Sequence, residues 1–223
     1  MPKLCVVLTC QVLVAIAGAL GAAHAQEMSA NMRLLAAARA GDAAGVARAL
    51  FDGATPNARN RVGETALVIT LKNGQTDLAR RMLDSGTDVN LAAVNGITPL
   101  MAAAHGGHVE MVRTLLAKDA EIGAIDRLQK NAMTYAAGQG HAEIVVLLLR
   151  AGVDPNAVYA HSLTALMWAA GYGHTQTVRS LLDAGARADL KDDRGKTAID
   201  IAREGNFSET TKVLEAAMKS PVP

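Results

Sequence analysis

The sequence predicts an all-α solenoid of about six 33-residue helix–loop–helix repeats with short turn or hairpin tips. Three observations lead to it. The segments TALVITLKNGQTD, TPLMAAAHGGHVE, NAMTYAAGQGHAE, TALMWAAGYGHTQ and TAIDIAREGNFSE share one register, led by Thr65, Thr98, Asn131, Thr164 and Thr197 at intervals of 33. Gly-His pairs recur at 107–108, 140–141 and 173–174, and Leu-Leu pairs at 115–116, 148–149 and 181–182. Gly53, Gly86, Gly152 and Gly185 close the second apolar run of their units. A fixed period of this length marks stacked units, none of which can bury its apolar face alone.

Taken in order, residues 1–25 read as a cleavable signal peptide. Lys3 gives a positive start, Leu4 to Leu20 is apolar but for Thr9 and Gln11, and Ala23-His24-Ala25 supplies a small-x-small cleavage pattern. A retained membrane helix is the rival, because the run approaches the roughly 20 residues needed to span. Cleavage after Ala25 is preferred, since no larger charged flank follows the run. Cys10 as a lipidated cysteine is disfavoured by Thr9 before it and by the apolar run continuing past it. Residues 26–29 are expected to form a short flexible start. The repeat domain is placed at 30–217, in units of approximately 30–58, 59–91, 92–124, 125–157, 158–190 and 191–217. The first and last act as caps, and 218–223 is read as a flexible tail.

Within the third unit, Gly96 permits the turn, Thr98 caps a helix and Pro99 takes its first position. That helix runs through Ala104, Gly106-Gly107-His108 breaks it, and a second follows from Val109 to Leu116. Its apolar positions 109, 112, 115 and 116 fall on one face. The fourth unit departs from the pattern: Asn131-Ala132-Met133 replaces Thr-Pro-Leu, Gln129 replaces the turn glycine, and Asp119 stands where the other helix ends carry Gly. All three changes flank one turn, so residues 117–135 are expected to be the softest junction.

With Thr98-Pro99-Leu100, the Gly-His and Leu-Leu pairs, and the loops Asp88-Val89-Asn90 and Asp154-Pro155-Asn156, the chain resembles the ankyrin repeat family over roughly residues 30 to 217. The resemblance implies an ankyrin-type α-solenoid whose work is protein–protein recognition on a concave face. It also implies that the Gly-His histidines hydrogen-bond neighbouring loops.

Composition narrows the function. Loss of Lys3 with the leader leaves 21 basic against 21 acidic residues, and both cysteines, Cys5 and Cys10, leave too. A near-neutral chain lacks the basic excess for nucleic acid or anionic membranes. It needs no disulfide and offers no thiolate. No second apolar stretch is long enough to span a bilayer, so no membrane insertion is expected after cleavage.

Candidates for chemistry are weak. His108, His141 and His174 lie one layer apart, roughly 8–10 Å, and cannot share an ion whose ligands sit about 2 Å away. His105 and His108 are three apart but have no further ligand nearby. No metal and no cofactor are therefore expected. There is no G-x-S-x-G, H-E-x-x-H or Walker-type loop, and Glu110, Glu143 and Glu209 recur as surface residues. A non-enzymatic protein is expected.

Binding leaves a clearer trace. Turn tips and the outward edge of the first helices project Val94, Asn95, Ile97 and His105 from the third unit. The fourth presents Arg127, Leu128, Lys130 and Gln139, and the fifth Tyr159, His161, Leu163 and Tyr172. Arg194, Lys196 and Glu204 extend the face into the sixth. Ile97, Leu128 and Leu163 are expected to form an apolar patch. Among only six aromatics, Tyr135 and Trp168 are assigned to the core slot held elsewhere by Ile69, Ala102 and Ile201. Met101, Met133 and Met167 read as adaptable packing or a soft binding surface.

The expected protein is thus exported, periplasmic if bacterial and secreted otherwise, monomeric, and binds another protein through repeats three to five. The alternatives are an inhibitor or immunity-type protein that blocks one envelope enzyme, and a binder of a small ligand or peptide.

Overall fold

The computed structural model describes residues 29–219; the leader expected at 1–25, residues 26–28 and residues 220–223 lie outside the described residues. Twelve α-helices there form six helix–loop–helix pairs. They are α1 (29–40) and α2 (Ala43–Phe51), α3 (Ala66–Lys72) and α4 (Thr76–Asp84), α5 (Pro99–His105) and α6 (Val109–Ala117). The stack continues with α7 (Ala132–Gln139) and α8 (Ala142–Arg150), α9 (Ala165–Gly171) and α10 (Thr175–Asp183), and α11 (Ala198–Glu204) and α12 (Ser208–Lys219). Helix is already present at residue 29, inside the flexible start placed at 26–29. At the other end α12 runs past the boundary placed at 217, taking the first two residues of the expected tail.

The five residues that set the register are the caps of the first helices. Thr65, Thr98, Asn131, Thr164 and Thr197 sit in extended backbone, and each side chain accepts from the N–H three residues on. Such a cap contributes about 1 kcal/mol. Helices of seven or eight residues are marginal alone, so their stability comes from packing. First helices pack on first helices (α3 on α5, then α7, α9 and α11), second helices on second helices, and each unit's pair on itself.

The core runs between these two layers through every unit. Leu67, Leu100, Met101, Met133 and Leu166 fill it from the first helices, and Met82, Met111, Leu115, Ile144 and Leu148 from the second. Met101, Met133 and Met167 are all buried, which removes the soft-surface reading. On α6 the buried edge is Met111, Val112 and Leu115, with Val109 and Leu116 only half-buried. The stripe is turned toward Met111 because that edge must meet both its own α5 and the neighbouring layers.

Two ladders stitch the layers at their rims. At the tips, Val94 N donates to Val62 O, Arg127 N to Asn95 O, and Asp193 N to His161 O, at 3.0–3.1 Å. Gly96 shows why the turn takes glycine: its φ is +85°, and a Cβ would lie 2.8 Å from Asp126 Cα of the next tip. In the return loops, Asn57, Asn90 and Asn156 each accept from a backbone N–H of the next unit (Asp88, Glu121 and Arg187) at 2.7–2.8 Å.

Each ladder misses one rung among the described residues, and at different joints: the tip ladder between the fourth and fifth units, the loop ladder between the third and fourth. Among the described residues no backbone bond joins Ala160 to Leu128. Gly123 occupies the ladder position of the asparagines. The fifth tip differs because His161 and Ser162 both have positive φ, 60° and 56°, within a short 3-10 turn at Ala160–Ser162. The junction at 117–135, expected to be the softest, contains Gly123 and so lacks the loop bond to the fourth unit, but it is held elsewhere. Asn90 clamps Asp119 O and Glu121 N, and Arg127 N reaches Asn95 O. Its strain is nonetheless present: Asp119 and Gln129 sit at φ 59° and 57°.

Candidate functional site

The turn of the fourth unit is built around Asp126, a buried carboxylate. Its Oδ1 accepts from Leu128 N and Lys130 N at 2.8 Å, and its Oδ2 accepts from the Tyr135 hydroxyl at 2.5 Å. Burial and the neighbouring Asp126 carboxylate push the Tyr135 phenol far above its ordinary value. The bonds to Asp126 fix the backbone of Lys130 at the entry to α7. Its ammonium then lies 4.2 Å from the Trp168 ring centre and 5.7 Å from that of Tyr135. Cation–π contacts at this range contribute about 0.5–1 kcal/mol at exposed sites.

Tyr135 and Trp168 share a register position with Ile69, Ala102 and Ile201, but they do not fill a core slot as expected. Both are half-buried on the inner edge of the first helices, where Ile69 and Ala102 are buried. Ile201 is half-buried at this position too, so the slot lies at the rim of the core, and a ring there leaves part of its edge in solvent. The Trp168 indole N–H is shut from solvent without a partner, an arrangement that costs stability.

The aromatic surface continues on both sides. Trp168 stacks on Tyr172 at 6.2 Å with 12° between planes, and Tyr172 stacks on His174 at 6.2 Å. On the other side, Tyr135 meets His105 edge-on at 5.6 Å. A recess of about 290 Å³ opens there, lined by Lys72, Asn95, Ile97, Met101, Ala102, His105, Gly106 and Tyr135. Gln139 reaches the His105 ring across 3.4 Å.

The structure therefore brings together Asn95, Ile97, His105, Gln139, Lys130 and Tyr172, joined through Tyr135 and Trp168. Val94, Arg127 and Leu128 are exposed on the tips beside them, with Leu128 at 64%. Two expectations need revision, those for Tyr159 and for the apolar patch. Tyr159 is half-buried, and its hydroxyl accepts from the Asn131 amide at 2.7 Å, so it braces the fourth unit against the fifth. Burial, with Asp154 nearby, raises the pKa of its phenol. Ile97 and Leu163 pack against the core, which leaves Leu128 as the exposed member of the expected patch. His161 pairs with Asp193 at 3.0 Å on the fifth and sixth tips. In the sixth unit Arg194 pairs with Asp192, and Lys196 with Glu204.

Tyr135 and Trp168 join the face although their register position was expected to be a core slot. Their signal was an aromatic at a position other units fill with Ile or Ala. The Gly-His histidines are structural links: His108, His141 and His174 each place Nε2 3.0–3.1 Å from a carbonyl of the preceding unit, those of Leu71, His105 and Gly138. Among the described residues no group of three or more His, Cys, Asp or Glu could hold a metal ion. No helix there is long and apolar enough to cross a membrane.

A family model described as ankyrin repeats (three copies) matches residues 34–126, 72–159 and 133–219. No curated protein matches the sequence.

Proposed function

We propose, starting from the fact that the chain belongs to the ankyrin repeat family, that it is a non-enzymatic scaffold in the cell envelope. Ankyrin repeats are in general protein–protein interaction modules. In this reading the concave face of the third to fifth units binds a partner protein, and the chain acts as a monomer. The apolar segment ahead of Ala25 supports export, to the periplasm if the source is a bacterium.

One observation carries the placement of the face: the shelf in which Lys130 lies on Trp168 and Tyr172 stacks beside it. Tyr, Trp and Arg dominate interface energetics. A helical scaffold that is already ordered also loses little conformational entropy on association. The test is capture of a partner from envelope extract by the wild type and by the double variant Leu128→Asp, Tyr172→Ala. Loss of capture with an unchanged helical circular dichroism signal supports this face, and undiminished capture rejects it. An inhibitor would show tight one-to-one binding to a single enzyme. A small-ligand binder would gain thermal stability with its ligand, and the recess beside His105 is what favours that second reading.

A further inference from the structure

The charges on the binding face are unequally spent. Its carboxylates are committed within the chain: Glu64 to Lys72 and Asn60, Asp126 to the fourth turn, Asp193 to His161, and Glu204 to Lys196. Among the described residues, Arg61, Arg127 and Lys130 take part in no ion pair, although Arg61 and Arg127 are exposed on the second and fourth tips. Lys130 is held on two aromatic faces instead of a carboxylate. The second to fourth units therefore present cations alone, on a chain whose overall charge is only +1. Beside them lies the apolar recess that Tyr135 shares with the Lys130 shelf.

Resting on the face proposed above, we infer that the partner offers an extended acidic segment with one bulky apolar residue. The apolar side chain enters the recess between α5 and α7. Carboxylates on either side of it meet Lys130, Arg127 and Arg61. Layers roughly 8–10 Å apart and a rise of about 3.3 Å per extended residue allow roughly three residues per unit. Acidic groups can thus reach successive tips while the anchor stays seated.

The test screens a displayed library of random linear peptides against the full chain and reads the emission of Trp168, its single tryptophan. Enriched peptides should be net acidic around one bulky apolar residue, shift the Trp168 emission saturably, and bind more weakly as salt rises. They should bind Lys130→Met about fivefold more weakly than wild type, with unchanged circular dichroism. Neutral or basic peptides that shift Trp168 would overturn the acidic partner and leave the face standing. Peptides that bind while leaving Trp168 unmoved would overturn both. Absence of any enrichment also overturns the linear acidic segment, and the double variant described above then judges the face by itself.

Discussion

The Tyr135 hydroxyl donates to Asp126 Oδ2 at 2.5 Å, tying the first helix of the fourth unit to the turn that precedes it. Removing this bond in Tyr135→Phe leaves Asp126 with its two backbone donors, so the turn should persist. The loss expected is about 1 kcal/mol, toward the low end for a bond to a charged group because the phenol is partly exposed. Urea unfolding should show a lower midpoint at constant slope. The raised phenol also sets an alkaline limb. The folded state holds this proton above the ordinary value of about 10, so stability is complete below that pH and declines as pH rises beyond it. In Tyr135→Phe the decline above about pH 10 should be shallower; an identical alkaline limb would contradict the assignment.

Asp119 and Gln129 occupy left-handed backbone that glycine holds at Gly86, Gly152 and Gly96. Asp119→Gly and Gln129→Gly should each stabilise by about 0.5–1 kcal/mol, because relief of strain outweighs the added freedom of the unfolded chain. The same unfolding curves report it, and a lower midpoint for both would show that these residues are not strained.

Thr177 lies in α10 at the position of Met111 and Ile144, and its hydroxyl is buried without a partner. Thr177→Val keeps the shape and removes the unmet group. Thermal unfolding should rise by the equivalent of about 1 kcal/mol. A fall would mean that the hydroxyl is satisfied in solution.

Gly123 interrupts the asparagine ladder, and its Cβ position is open, with no atom within 4 Å. Gly123→Asn should place an acceptor against Asp154 N, as Asn90 does for Glu121 N. The expected gain is about 1 kcal/mol from the bond and the loss of glycine's freedom. Hydrogen exchange should slow at Asp154, and no slowing there would refute the clamp.

Much of the scaffold was readable from one register. Thr98, the Gly-His pairs and the first leucine of each Leu-Leu pair repeat their roles because each unit meets the same neighbours. What could not be read was where a long side chain turns once it leaves its position. Tyr159 occupies a tip yet reaches back to Asn131, 28 residues earlier. Trp168 starts from a packing slot yet spreads to the rim of the core, beneath Lys130. Ser162 was a further signal, standing where Gly63, Gly96 and Gly195 serve and adopting their positive φ. Repetition reports a residue's station along the stack; reach and stacking depend on partners from other units.

The gaps in the two rim ladders are staggered, and that has a mechanical consequence. Between the third and fourth units the tip bond of Arg127 to Asn95 persists, while the loop position is empty at Gly123. Between the fourth and fifth the loop bond of Arg187 to Asn156 persists, while the tip side is held by the Tyr159–Asn131 side-chain bond without a backbone rung. The fourth unit is thus fastened to its two neighbours on opposite rims, like a plank nailed at opposite corners. Any rocking of that plank moves Lys130, which it carries, against Trp168 of the fifth unit.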